Sequence, residues 1–378
     1  MRALAVILSV LIALICMLVV DSLIPNRLIF VGYQYQIRDH IPYVSPYSPL
    51  HIPIRLPPRS RKPLTGNFYR PPFSMQGWET NHRVDFQNEV GARIDGPATY
   101  KGRMYDLNTN QTLSETTYHI DAEGRRMIPH HDANRDGNFF FFGCSFTYGT
   151  NVEDSESMPA QFEYAQKKYS AFNYSFPGWG PNNLDRLIHQ KGFAADVSKK
   201  KHNKAVYWFI DQHIGRVTLP LSAYRVYSTN YQFFPYYYLD NKNNLQTEGT
   251  IFDHRGWLNG LYNFFSNSTV VQRFGVDFPP HRLYDMQLFS AILADMRDTL
   301  KKQFDMELIV AFFPSSTATP YLIEQLDKHK IRSLDYSNVY SSFYTSRPDW
   351  LSDGHPTAEH QKFLANQLIR DLDLNGEE

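Results

Sequence analysis

Ser145 sits in the stretch "NFFFFGCSFTYGT", where four consecutive phenylalanines end in a small polar turn between Gly143 and Gly149. A serine hydroxyl is a weak nucleophile on its own. It needs a base to take its proton, a group to orient that base, and donors for the oxyanion that forms on attack. The segment "DWLSDGHPTAEH" near the C-terminus offers both partners, with Asp353 and His355 just before Pro356. An Asp and a His this close can share one loop, the carboxylate holding the imidazole in the tautomer that accepts the serine proton. The same loop read structurally would simply cap the following helix. For the oxyanion, the Ser145 amide is one donor. Gly178 in "NYSFPGWGPNN" is a second, because a glycine lets a backbone N–H approach a substrate unobstructed.

These residues need a frame that brings them together. Phe139–Phe142 is apolar at every position, as in a central parallel strand covered on both faces. A helix is expected from Ser157, an N-cap residue, with Pro159 in its first turn. "SAFNYSF" (Ser170–Phe176), "KAVYWFI" (Lys204–Ile210), "MELIVAFFP" (Met306–Pro314) and "IRSLDYS" (Ile331–Ser337) supply four more strands. A helix with Phe289, Ile292, Leu293, Met296 and Leu300 on one face enters the fourth, and a last helix carries Leu364, Leu368 and Leu372. Strands alternating with helices predict a doubly wound α/β sheet. Ligands in such sheets bind at the carboxyl ends of the strands, where Ser145 falls.

Taken together, Gly143-x-Ser145-Phe146-Thr147-x-Gly149, Gly178 and Asp353-x-His355-Pro356 resemble the SGNH (GDSL-type) hydrolase superfamily of esterases, lipases and carbohydrate O-acyl hydrolases. The resemblance covers about Asn138 to Leu374. It implies a three-layer α/β/α sandwich with a mostly parallel five-stranded sheet. It also implies Ser145 as nucleophile, His355 as base, Asp353 as its partner and Gly178 as an oxyanion donor, with no cofactor or metal. The sequence departs from the family pattern in three places. Cys144 precedes the serine where an Asp is common, and is read as packing near the site. Asp353 is two residues before the histidine rather than three. The third motif, which normally gives an Asn donor, is here "FIDQHIGR", leaving Gln212 or His213 to donate, with Arg216 nearby. The expected function is a serine esterase acting on acyl esters, acetyl among them, of glycans or lipids. Acyl transfer by the same site, or a non-catalytic binding or assembly module on a degenerate fold, are the alternatives.

Outside this region the chain divides into distinct stretches. Ala3–Val20 is eighteen residues without a charge. As a helix it would be ~27 Å long, enough to cross a bilayer core of ~30 Å. Residues 1–22 read as an uncleaved signal anchor with the catalytic part extracytoplasmic, a cleaved secretory signal being the alternative. Nine prolines between Ile41 and Pro72 exclude helix and central strand. Residues 23–80 therefore read as an extended stalk or as a strap wrapped on the globule. Residues 81–137 carry short alternating segments between turns and form a small β-rich accessory region. An insertion at 215–280 contains "YQFFPYYYLD", either an aromatic surface for sugar or lipid or a hairpin packing its aromatics inward.

Composition excludes other classes. Lys plus Arg and Asp plus Glu both number 38, so the chain has no basic footprint for nucleic acid. Apolar residues at 42% suffice for a large core, which excludes wholesale disorder. Cys16 and Cys144 are too few for a disulfide framework or a cysteine zinc site. "DANRDG" (Asp132–Gly137) matches half of a calcium loop, but Gly143 occupies the position that needs a bidentate Glu, so a polar turn is expected.

Overall fold

The computed structural model describes residues 76–80, 89–94, 96–106, 110–197, 200, 202–221, 223, 232–268, 271, 278, 283–314, 319–336 and 355–374. The expected anchor, nearly all of the proline-rich stretch and Asp353 lie outside the described residues. Among the described residues, no helix is long and apolar enough to cross a membrane.

The described residues open with a three-stranded antiparallel sheet, β1 (Gln76–Thr80), β2 (Ala98–Asp106) and β3 (Thr112–Ile120). The accessory region is thus β-rich as expected, but it begins earlier, since Gln76–Thr80 had been read as the end of the stalk. That pentapeptide has no proline, so every amide remains able to pair with β2. The sheet is not a separate module. Tyr100, Tyr118 and Ile120 belong to the same buried cluster as Phe140 and Phe142 of the main sheet.

The main sheet contains β4 (Gly137–Phe142), β5 (Tyr169–Asn173), β6 (His202–Phe209), β9 (Glu307–Phe312) and β10 (Arg332–Asp335). Its order is β10-β9-β6-β4-β5, and every pairing is parallel. The chain moves from β4 outward to β5, then crosses to β6 on the other side of β4. That reversal opens a crevice at the carboxyl ends of β4 and β6.

Alternation along β4 sends Phe139 and Phe141 to one layer and Phe140 and Phe142 to the other. Phe139 and Phe141 pack on Phe162 of a helix (Met158–Ala165) at centroid distances of 4.5 and 5.1 Å. The final helix (Ala358–Asp371) completes that layer with Leu364 and Leu368. Phe140 and Phe142 meet Phe193 at 5.3 and 5.9 Å. This second layer is built by helices over Pro181–Ile188, Lys191–Val197, Leu283–Phe304 and Thr319–Lys328. The five positions expected to face inward from Phe289 to Leu300 are all fully buried. The result is the three-layer α/β/α sandwich with a parallel five-stranded sheet.

In chain order the helices are α1 (Ser145–Tyr148), α2 (Met158–Ala165), α3 (Pro181–Ile188), α4 (Lys191–Val197), α5 (Gln212–Thr218), α6 (Ile251–Arg255), α7 (Leu258–Asn267), α8 (Leu283–Phe304), α9 (Thr319–Lys328) and α10 (Ala358–Asp371). α5 continues through Gly215, so the insertion leaves the sheet frame only after Thr218. Its described part contains a hairpin, β7 (Pro235–Leu239) and β8 (Leu245–Thr250), followed by α6 and α7. Phe234 and Tyr237 pack inward, while Tyr236 is half-exposed and stacks on Tyr238 and on His254. Asp132–Asp136 forms a polar turn. The Arg135 guanidinium donates there to the carbonyls of Glu163, Gln166 and Tyr169, putting a cation where a calcium loop would concentrate negative charge.

Candidate active site

The last phenylalanine of β4 is followed by Gly143, and the chain turns at once into α1, whose first residue is Ser145. This turn tolerates only glycine at 143. A Cβ there would lie 2.3 Å from Thr147 Oγ1 and 2.9 Å from Thr147 Cβ. Cys144 is extended, at φ −113° and ψ −154°, and buried among the aromatics of the sheet, as expected of a packing residue. Its sulfur is 4.0 Å from Ser145 Oγ. Ser145 is 9% exposed, so its hydroxyl stands at the floor of the surface rather than on it. The first amides of a helix have no intrahelical acceptor, so the Ser145 N–H is free of the α1 ladder.

The far end of the turn is held by a buried cation. Gly149 closes α1 at φ +84°, a left-handed conformation suited to glycine. Arg126 lies against it with all three guanidinium nitrogens engaged. Nε donates to Asp154 Oδ1 at 2.7 Å, Nη1 to the Tyr148 carbonyl at 2.9 Å and to that of Gly149, and Nη2 to the Val152 carbonyl at 2.6 Å. The guanidinium is also stacked over Tyr118 and Tyr148. Tyr148 and Tyr100 share a hydroxyl–hydroxyl hydrogen bond of 2.7 Å, so the accessory sheet buttresses the same turn. Burial pushes the Tyr148 phenol well above its usual range, which keeps it neutral.

His355 comes to this turn from the other end of the chain. Its ring packs edge-on against Phe146, the residue after Ser145, with centroids 5.4 Å apart. Gln361 of α10 fixes the approach. Its Nε2 donates to the Phe146 carbonyl at 2.7 Å, and its Oε1 accepts from the Met158 amide at 3.2 Å. The cap of α10 is Thr357, whose hydroxyl accepts from the His360 amide. The capping role considered for the Asp-Gly-His-Pro loop therefore falls to Thr357, two residues beyond His355.

Gly178 lies in the loop after β5 with φ +87°, a conformation that by itself favours glycine. The loop is tied to the Ser145 turn, because the Phe176 amide donates to the Gly143 carbonyl at 3.4 Å. It is tied to α5 as well, since Arg216 donates to the Trp179 carbonyl at 2.8 Å. The two third-motif candidates separate. Gln212 is exposed on the first turn of α5. His213 is fully buried between Tyr207 and Phe209, with its Nδ1 2.6 Å from the Tyr207 hydroxyl. Burial, reinforced by Arg216, pushes the His213 imidazole well below its usual range, so it is neutral.

Ser145, Gly178 and Gln212 thus lie on the loops after β4, β5 and β6, and His355 packs on Phe146. Nucleophilic acyl chemistry needs a hydroxyl, an imidazole within reach of it and backbone amides at a strand end; here the imidazole is held against the residue after the serine. Arg126 and Gln361, which hold the turn from two sides, were not anticipated. No local pattern marks either one, because their partners lie 22 to 28 residues away for Arg126 and 203 and 215 away for Gln361.

No protein-family model matches the chain, and no curated protein matches it. Solved structures with a similar outline include a lipolytic G-D-S-L family protein from Veillonella parvula DSM 2008, at 10% identity and TM-score 0.36, covering 62% of this chain and 97% of that one. A catalytic mutant of an acetylxylan esterase from Geobacillus stearothermophilus gives 10%, 0.35, 65% and 96%. The psychrotrophic esterase EstA from Pseudoalteromonas sp. gives 9%, 0.33, 63% and 97%. At these TM-scores the likeness carries no argument about chemistry, and the fold rests on the sheet and its layers as described.

Proposed function

We propose that this chain is a serine ester hydrolase of the SGNH type. One observation carries the reading: the imidazole of His355 packs against the residue next to Ser145, on a turn built at the carboxyl end of the central parallel strand. In the proposed reaction Ser145 Oγ attacks the ester carbonyl carbon while His355 takes the hydroxyl proton. The Ser145 and Gly178 amides hold the oxyanion, and the exposed Gln212 is the better third donor than the buried, neutral His213. Collapse of the tetrahedral intermediate expels the alcohol, which takes the proton from His355. Water then attacks the acyl-enzyme, its proton passing through His355, and the acid leaves. Asp353 orients His355 in this scheme. A sugar hydroxyl replacing water would make the same site an acyltransferase.

The substrate class proposed is acyl esters, acetyl among them, of glycans or lipids. The half-exposed Tyr236, Tyr238 and His254 stack of the insertion supports a flat, sugar- or lipid-facing surface. Anchoring by the apolar segment Ala3–Val20, with the catalytic domain extracytoplasmic, completes the proposal.

The test is covalent labelling of the purified full-length chain by a serine-reactive fluorophosphonate, beside Ser145→Ala and His355→Ala. The expected result is a labelled wild type, no label on Ser145→Ala and a rate lower by at least ~10²-fold for His355→Ala. A folded wild type that takes no label overturns the reading.

A further inference from the structure

Asp185 and His189 lie one helical turn apart, on α3 and its C-terminal cap, and Asp295 faces them from α8. A carboxylate oxygen from each aspartate and a ring nitrogen of His189 all lie within 4.8 Å of one another. The three residues are far apart in sequence as a set, and only the packing of α3 on α8 brings them together. None of them belongs to the Ser145 turn.

Asp185 is the informative member. It is 3% exposed, buried where α3 packs on α8. One of its oxygens, Oδ2, accepts from the Tyr237 hydroxyl at 2.6 Å. The other, Oδ1, is buried and has no hydrogen-bond partner. A buried carboxylate oxygen without a donor is costly, and a second carboxylate beside it adds repulsion. Arg186 acts on Asp185 only through its field, and Asp295 meets it as one carboxyl meets another, so neither gives Oδ1 a donor and a cation held between the two carboxylates would complement them.

We propose that Asp185, His189 and Asp295 form a binding site for a divalent transition metal, zinc in the first instance. Three protein ligands of N, O and O type leave one position for water in a tetrahedral shell. With bonds of ~2.0–2.2 Å, ligand atoms in such a shell are ~3.3 Å apart. Rotation of the two exposed side chains, His189 and Asp295, closes the present separation. The imidazole selects against magnesium and calcium, which take all-oxygen shells. Tyr237 already holds the Asp185 carboxylate in place, the usual part of a group behind a metal ligand. Because Tyr237 belongs to β7, the metal would join the insertion hairpin, α3 and α8 at one point. The site is independent of the ester chemistry proposed for Ser145, which needs no metal.

The experiment titrates zinc sulfate into the chelator-stripped full-length chain by calorimetry and follows the melting temperature in parallel. The expected result is one zinc per chain and a melting temperature that rises with zinc. His189→Ala and Asp295→Asn, both at exposed positions, should keep the wild-type circular dichroism spectrum and bind zinc at least ~10-fold more weakly. Tyr237→Phe should weaken binding about 10-fold while leaving the stoichiometry unchanged. The proposal is overturned if the wild type binds no zinc, or if the two exposed variants bind it as the wild type does. Equal displacement of zinc by magnesium or calcium would also overturn it.

Discussion

Two buried ionisable side chains, Arg126 and Asp185, are treated differently. The Arg126 guanidinium is closed: Asp154 neutralises it, three carbonyls accept from it, and two tyrosine rings cover it. The Asp185 carboxylate is open: one oxygen is bound by Tyr237, the other by nothing, and Asp295 stands beside it. A buried charge whose every donor or acceptor is satisfied specifies geometry, here the turn that carries Ser145. One left half-satisfied is paid for in stability until something else arrives. The contrast separates a group that holds a site together from one that waits for a ligand.

Single substitutions test that contrast. Arg126→Ala should have the largest effect, about 3–5 kcal/mol in urea denaturation, because it leaves the buried Asp154 carboxylate without its guanidinium partner and takes a donor from three carbonyls. A loss below ~1 kcal/mol would show that the cluster is not closed in the sense argued. Gly143→Ala comes next, at about 1–3 kcal/mol, because the added methyl overlaps Thr147. Fluorophosphonate labelling should fall with it, and Thr147→Ala in the same chain should recover part of the loss. Gln361→Ala removes two hydrogen bonds and should cost about 1–3 kcal/mol, with slower labelling as His355 loses its register. Tyr148→Phe, which deletes the bond to Tyr100, should cost about 1 kcal/mol by thermal melting. The smallest effect is expected at the open charge. In metal-free protein Asp185→Asn should change stability by less than ~1 kcal/mol, since the amide oxygen still accepts from Tyr237 and the repulsion from Asp295 is gone. A loss as large as that of Arg126→Ala would erase the distinction.

The sheet was legible because its strands are apolar runs. Phe139–Phe142 and Leu308–Phe312 leave no other reading when covered on both faces, and the inward stripe from Phe289 to Leu300 follows the helical period. Ser145, Gly178 and His355 could be singled out because the proposed chemistry calls for those residue types, and the structure brings His355 to the residue after Ser145. What stayed hidden depends on distant pairing. Arg126 sits in "EGRRMIP", where nothing distinguishes it from the neighbouring Arg125. Gln361 reads as a surface residue of an amphipathic helix until Phe146 and Met158 are brought to it. Asp185 and His189 lie one turn apart in sequence, and only the packing of α8, about a hundred residues later, brings Asp295 to them. The strand Gln76–Thr80 was concealed by the prolines before it.

The link between Met158 and Gln361 spans 203 residues. While the chain is being made, Ser145 emerges long before the segment that brings its imidazole. A domain held together by such distant contacts completes its fold late. Any reactivity that depends on His355 is therefore withheld until the segment around Gln361 has been made. Timing, as well as geometry, is written into the position of that glutamine.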